Sequence, residues 1–412
     1  MALLPSAAGA SGETSEIVET APGVSIDTSK YLPKKLPAPA ILIAHGFGGS
    51  KDSVAAEAKF FASKGFVVLT WTARGFGEST GQIEMNSIDA EVADTRALIS
   101  YLAQSKDVLL DSNRDPRVGI MGSSYGGVNA LLTASQDPRI DAVIADITWS
   151  DLQQGLFPQS VERSRVSGPF KKVWAGTFFS AVSLQSAYLG ECGSFSDRWC
   201  DAYENAVLQG EPSQAEKELL ASVSPINYAS SISAPTLLSQ GQADSLFPLS
   251  ESSKTAQVIK KANPDTPLSM IWHADGHDGA SSQAPYLREQ FLQWFKKFLL
   301  NEELEFPVFQ FTRTNGSISL QDSSVIPKVF TSEQLPFESK SQQLKLISPT
   351  AAAIYPIGGV PSAISALPGI GSAGALASQL LSNLAGFSPA FLPGQSGFLE
   401  SAPLTEPISV VG

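Results

Sequence analysis

Between about residue 40 and residue 300 the chain alternates short apolar runs with longer mixed segments. The runs are AILIAHG (Ala40–Gly46), FVVLTW (Phe66–Trp71), RVGIMG (Arg117–Gly122), IDAVIAD (Ile140–Asp146), PTLLSQG (Pro235–Gly241) and LSMIWH (Leu268–His273). Each is too short for a helix and lacks the in–out alternation of a half-exposed strand, so it predicts a strand buried on both faces. The segments Ser53–Lys64, Asp89–Ala103, Tyr125–Ala134, Ser250–Ala262 and Ala284–Leu300 read as helices between them. Strand–helix alternation of this kind predicts right-handed crossovers and a doubly wound, mostly parallel α/β sheet. Residues 15–33 add an antiparallel hairpin at one edge.

The alternation breaks once. Almost ninety residues separate Asp146 from Pro235, rich in aromatics (Phe157, Phe170, Trp174, Phe178, Phe179, Trp199) and in helix formers. A connection of that length predicts an inserted helical cap over the carboxyl ends of the strands. Residues 305–348 look polar and strand-rich, and 349–397 form an Ala/Gly/Pro/Ser stretch. The final FLESAPLTEPISVVG reads like the beginning of a strand. The expected organisation is a disordered N-terminus (1–14), a core (15–150 and 233–300), a cap (151–232), and a partial β-rich C-terminal extension (301–412).

Gly122-Ser123-Ser124-Tyr125-Gly126 sits at the junction of a predicted strand and helix and fits G-x-S-x-G. No Gly-Lys-Ser/Thr follows, which excludes a phosphate loop. In G-x-S-x-G a strained strand-to-helix turn lifts the central serine above the sheet, and glycines flank it because a Cβ there would collide with neighbouring backbone. An ordinary Gly/Ser-rich turn would give the same five letters, so the rest of the chain decides. A serine nucleophile needs a base, and the base needs an orienting acid.

The chain has three histidines, His45, His273 and His277. His277 lies in HADGHDGA, in a glycine-flanked loop beyond the last predicted strand, whereas His273 is still within that strand. Asp244 follows the preceding strand in PTLLSQGQADSLFP. The order Ser124, Asp244, His277 is the order this topology requires. Asp275 and Asp278 stand too near His277 in sequence to orient it and read as loop formers. His45, in AHGFGGSKDS, shapes the turn where half of an oxyanion hole is built. The expected donors there are the backbone N–H groups of Phe47 and Tyr125.

Composition narrows the partners. A net charge of −12 without a basic cluster excludes nucleic acid and anionic membrane surfaces. No apolar run approaches the ~20 residues of a membrane span. Neither a metal nor an organic cofactor is implied, and nothing in the sequence sets the oligomeric state. The two cysteines, Cys192 and Cys200, form either a short disulfide loop in an exported protein or free thiols in a cytosol. The start MALLPSAAGASGE has no basic n-region, yet Ala8-Gly9-Ala10 has small-x-small form. It reads either as the end of a longer export signal or as a disordered Ala/Ser-rich terminus, and the cysteine pair tilts the balance slightly toward secretion.

HGFGGSK, TARGFGESTGQ, DPRVGIMGSSYGG, ADSLFP and DGHDG together resemble the X-Pro dipeptidyl-peptidase and cocaine-esterase-like acyl hydrolases, the S15-type branch of the α/β-hydrolases. The resemblance runs from about residue 20 to residue 300. Its more specific marks are Arg74-Gly75-x-Gly77-x-Ser79 and the tyrosine after the nucleophile. It implies an α/β-hydrolase fold, a Ser124–Asp244–His277 triad and a cap that shapes the acyl pocket. Members usually continue into a jelly-roll β-sandwich, of which only a first strand is recognisable here, so the chain reads as truncated. Some members supply an oxyanion donor from a tyrosine side chain where this chain has Phe47, which favours two backbone donors.

The expected function is therefore acyl transfer to water on a small-molecule ester or a short X-Pro-type peptide. A dipeptidyl-peptidase must hold a free amine, for which Glu191, Asp197, Asp201 and Glu204 are candidates. The alternative for those four is a solvated acidic face. An esterase needs an apolar pocket, for which Trp149 and the cap aromatics serve. A catalytically idle scaffold used for binding is the non-enzyme alternative.

Overall fold

The computed structural model describes residues 12–158, 168–185, 192–278 and 283–312, with the short strands 318–321, 337–338 and 400–401. Among the described residues there are fourteen strands: β1 (Glu13–Ala21), β2 (Val24–Tyr31), β3 (Ala40–Ala44), β4 (Val67–Trp71), the surface hairpin β5 (Leu110–Ser112) and β6 (Asp115–Pro116), β7 (Val118–Ser123), β8 (Ile140–Asp146), β9 (Thr236–Gly241), β10 (Leu268–His273), β11 (Phe309–Thr312), β12 (Ile318–Gln321), β13 (Phe337–Glu338) and β14 (Glu400–Ser401). Ten of them form one sheet in the order β1-β2-β4-β3-β7-β8-β9-β10-β11-β12. The six apolar runs are its centre, pairing in parallel. The hairpin expected near residues 15–33 is β1–β2, and it docks antiparallel on β4.

Continuous apolar strands are explained by helices on both faces. Ala40, Leu42 and Ala44 face the cluster that holds α2 (Glu91–Leu102), α3 (Tyr125–Gln136) and α8 (Ser250–Ala262). Ile41 and Ile43 face α1 (Ala55–Ser63) and α9 (Ala284–Leu299). Each residue step along β3 thus changes the face but not the polarity. Helix α9 buries Leu287, Phe291, Phe295 and Leu299, one per turn, the stripe expected of a helix with one wet side. Helix α3 is buried from Tyr125 to Ala134, so small residues replace amphipathic patterning.

Strand β4 lies on one side of β3 and β7 on the other, so the direction of winding reverses at β3. Crevices beyond the carboxyl ends of strands at such a reversal are where open α/β sheets bind ligands. Over that end lies the insertion between β8 and β9, with helices α4 (Leu152–Leu156), α5 (Lys172–Gln185), α6 (Asp197–Gln209) and α7 (Gln214–Ser222). Its aromatics join Tyr125, Trp149 and Phe247 in a third apolar cluster.

Within the expected C-terminal extension, β11 pairs in parallel with β10 and β12 pairs with β11. Those residues lengthen the central sheet, and β13 pairs with β14. The stretch 349–397, the rest of the final segment and residues 1–11 lie outside the described residues. Among the described residues no helix is long and apolar enough to cross a membrane.

Candidate active site

Ser124 ends the turn from β7 into α3 with φ 55° and ψ −119°, a conformation that is costly for a side chain other than glycine. Neighbouring packing holds it there. The Ser124 N–H donates to Asp146 O at 2.9 Å, and its carbonyl accepts from Thr148 Oγ1 at 2.7 Å and Gly127 N at 2.9 Å. The flanking glycines are steric requirements. A Cβ on Gly122 would stand 2.4 Å from the Gly126 carbonyl carbon, and one on Gly126 would stand 2.4 Å from Ala44 O.

From this elbow the Ser124 hydroxyl reaches His277, whose Nε2 lies 2.8 Å from Oγ. His277 Nδ1 lies 2.6 Å from Asp244 Oδ2. The other carboxylate oxygen, Oδ1, accepts the N–H groups of Leu246 at 2.9 Å and Phe247 at 2.8 Å, which locks the carboxylate plane. The sequence-predicted Ser124, His277 and Asp244 are thus contiguous, with the Asp244 side chain withdrawn from solvent and His277 only slightly exposed. Asp275 bonds within its own loop, whereas Asp278 ties that loop to the one after β9. Asp278 accepts from Ser245 N and Oγ, and Asp275 accepts from Gln283 N.

His273 points away from this row. Its Nε2 lies 3.2 Å from Asp146 Oδ1, and Asp146 Oδ2 accepts the Ser123 hydroxyl at 3.0 Å. Burial alone would raise the Asp146 carboxyl, but bonds from His273, Ser239 and Ser123 outweigh it and leave it below the usual range. Burial likewise opposes a charged His273, yet the Asp146 carboxylate wins and the imidazole is held above its ordinary value. The two face each other, buried, directly behind the elbow, and form an ion pair when His273 is protonated. No motif in the sequence marks Asp146, because only tertiary contact shows what it faces.

His45 is buried, and burial lowers its pKa against the opposing bond to Gly46. Its Nε2 accepts the Ala73 N–H at 2.9 Å, which leaves Nδ1–H to donate to Gly46 O at 2.7 Å. The ring therefore fastens the β3 turn to the loop after β4, as expected of a turn-shaping residue. Phe47, two residues on, packs on Phe76, Tyr125, Phe178 and Phe195.

A cavity of about 830 Å³, partly open to solvent, begins at Ser124 and runs under the cap. Phe47, Tyr125, Trp149, Phe195, Trp199 and Phe247 are among its walls, and among the described residues Glu216 is the one carboxylate in the lining. Both Glu216 oxygens are already engaged, one by Asn205 Nδ2 at 2.5 Å and the other by Ser213 N at 2.6 Å. Trp149, buried, also donates its indole N–H to Val223 O at 3.1 Å, joining the pocket to the cap. Of the four candidate amine-binding carboxylates, Asp197, Asp201 and Glu204 are exposed and absent from the lining, and Glu191 lies outside the described residues.

The cap is fastened to the core at two places. Lys171, its ammonium pulled below its usual value by burial, donates to the carbonyls of Ser245 at 2.7 Å and Leu246 at 2.6 Å, next to Asp244. Cys192 and Cys200 form a disulfide. The loop between them bridges to Ile83 through Phe195, and Ser196 and Arg198 both bond Glu84. Among the described residues, the one grouping of three potential metal-donor side chains within 4.8 Å is Cys192, Cys200 and Glu204, and its sulfurs are committed to each other.

The sequence profile of the X-Pro dipeptidyl-peptidase (S15) family matches residues 22–278. The chain is 38% identical over 115 residues to the quorum-quenching protein AidA of Acinetobacter baumannii, a match spanning 27% of this chain and 36% of that protein. It is 24% identical over 265 residues to the putative carbamate hydrolase RutD of Variovorax paradoxus, spanning 63% of this chain and 92% of that one. Among solved structures, a CocE/NonD family hydrolase from Staphylococcus aureus superposes with a TM-score of 0.55 at 17% identity, over 77% of this chain and 57% of its own. An aminopeptidase from a marine sediment archaeon gives 0.57 at 14% identity, over 76% and 59%. At such identities the structural likeness is one of fold: this chain has the α/β-hydrolase fold. AidA and the staphylococcal hydrolase are each matched over less than two thirds of their own length.

Proposed function

The chain belongs to the X-Pro dipeptidyl-peptidase (S15) family, and from that premise we propose that it is a serine hydrolase in which Ser124 attacks, His277 relays the proton and Asp244 orients the imidazole. The observation that carries this is the unbroken row Ser124 Oγ–His277 Nε2–His277 Nδ1–Asp244 Oδ2, at 2.8 and 2.6 Å. His277 takes the serine proton as Oγ adds to the acyl carbon, then donates it to the leaving group. Water repeats the sequence to release the acid. The backbone N–H groups of Phe47 and Tyr125 receive the oxyanion. Tyr125 is the first residue of α3, so its N–H has no acceptor within the helix and sits at the positive end of the helix dipole.

Within the ester-or-peptide alternatives, the cavity favours an ester with an apolar acyl group. Among the described residues the lining offers no free carboxylate for a substrate amine, whereas aromatic walls reward a hydrocarbon chain by about 0.8 kcal/mol per buried CH2. The disulfide supports residence in an oxidising compartment. The test is fluorophosphonate labelling read by intact mass, followed by turnover of p-nitrophenyl esters against X-Pro-p-nitroanilides. One adduct on Ser124 with ester turnover rising from acetate to butyrate or longer is expected. Preferential anilide turnover would restore the peptidase, and a folded protein that takes no label would be a binding scaffold instead.

A further inference from the structure

Two adjacent non-glycine residues, Met85 and Asn86, hold left-handed φ values of 55° and 68°. Such strain persists only where surrounding contacts overdetermine it. Here the contacts converge on Tyr125. Asn86 is fully buried, and its Nδ2 donates to Tyr125 O at 2.9 Å while its Oδ1 accepts from Asn129 Nδ2 at 3.0 Å. Glu91, also buried, takes the Tyr125 hydroxyl at 3.0 Å on the same oxygen that accepts Glu84 N at 2.6 Å. Its other oxygen accepts Ser87 N at 3.1 Å. One turn, residues 84–91, therefore grips Tyr125 by its carbonyl and by its hydroxyl.

The grip matters because of which peptide it stiffens. The N–H of Tyr125 shares a plane with the Ser124 carbonyl, which Thr148 and Gly127 already fix. Those bonds hold the oxygen end of the plane, and the Asn86 and Glu91 bonds hold Tyr125 itself, so the nitrogen end cannot pivot about the pinned oxygen. We propose that Asn86 and Glu91 are positioning residues that aim the Tyr125 N–H at the oxyanion, without touching substrate themselves. This rests on the serine-hydrolase reading above. Burial pushes the Glu91 carboxyl up to about 7 against the N–H and hydroxyl bonds it accepts, and burial beside that carboxyl pushes the Tyr125 phenol well above its usual value. The phenol therefore stays a donor across the physiological range.

A purely structural role would change stability and leave the transition state alone, so the test reads the transition state. Asn86→Gly deletes the amide while relieving the left-handed strain, and Tyr125→Phe deletes the hydroxyl with the ring kept. In both, kcat for p-nitrophenyl butyrate is expected to fall about tenfold to a hundredfold, the range for a displaced oxyanion donor. KM should stay within twofold, and an alkyl trifluoromethyl ketone, whose hemiketal oxyanion with Ser124 occupies the same hole, should bind more weakly by the same factor. Should Asn86→Gly not fold, Tyr125→Phe carries the test. Folded variants with kcat within twofold of wild type, or with the loss confined to KM, overturn the inference while wild-type labelling at Ser124 stands. A folded wild type that neither labels nor turns over substrate overturns both readings.

Discussion

Replacing Asp244 by asparagine should disable the proposed base through its tautomer, and the geometry says why. Asp244 Oδ1 accepts two backbone N–H groups, from Leu246 and Phe247, at 2.9 and 2.8 Å. Those donors cannot reverse, so an asparagine carbonyl must take the Oδ1 position. Its NH2 group then stands where Oδ2 stood, 2.6 Å from His277 Nδ1. Two donors cannot face each other at that distance, and the imidazole answers by moving its proton to Nε2. That nitrogen lies 2.8 Å from Ser124 Oγ and would then point a hydrogen at the nucleophile it should deprotonate. The lost general-base step and the lost stabilisation of the imidazolium together should lower kcat about ten-thousandfold, or about 5.5 kcal/mol of transition-state free energy. Steady-state hydrolysis of p-nitrophenyl butyrate at neutral pH measures this, with circular dichroism and a melting curve to establish that the variant is folded. The carboxamide keeps both backbone bonds, so the melting midpoint should barely move. A folded Asp244→Asn enzyme that retains more than about a tenth of the wild-type kcat would refute both the acid assignment and the tautomer argument.

Opening the disulfide with Cys192→Ser and Cys200→Ser, eight residues apart, should cost about 2.5 kcal/mol of stability by loop-closure entropy. Because Phe195 and Trp199 lie on that loop and line the cavity, KM for long-chain esters should rise more than KM for acetate; equal shifts would dissociate the loop from substrate selection. The Asp146–His273 pair predicts a pH signature. His273, held above 6.5, contributes stability that is complete below that value and is lost as pH rises through its folded value. Asp146, held below 3.8, contributes stability above that value that is lost as pH falls through its own. Melting curves against pH should show His273→Gln destabilised most between about 4 and 6.5, with the difference from wild type shrinking above that window. A difference that stays constant from acid to alkaline pH would contradict the ion pair.

Much of this was legible along the chain because the governing physics is local. Continuous apolar runs report strands covered on both faces. G-x-S-x-G reports a turn whose sterics involve residues a few positions apart, and the order of Ser124, Asp244 and His277 follows strand order. With three histidines in the chain, even the proposed base could be separated from the strand residue His273 and the turn former His45. Tertiary structure decided what depends on distant segments meeting. Asp146 looked like any strand end until β8 placed it between Ser123 and His273. Asn86 and Glu91, in a polar turn without a motif, acquire their meaning only because that turn closes over the first residue of α3. The acidic residues near the cysteines read as a solvated face or as amine ligands, and the packing of α6 turned Asp197, Asp201 and Glu204 outward. A sequence records periodicity and short-range sterics directly. Which buried donor meets which acceptor is set by the closure of long loops, and no single residue's neighbours in the chain encode it.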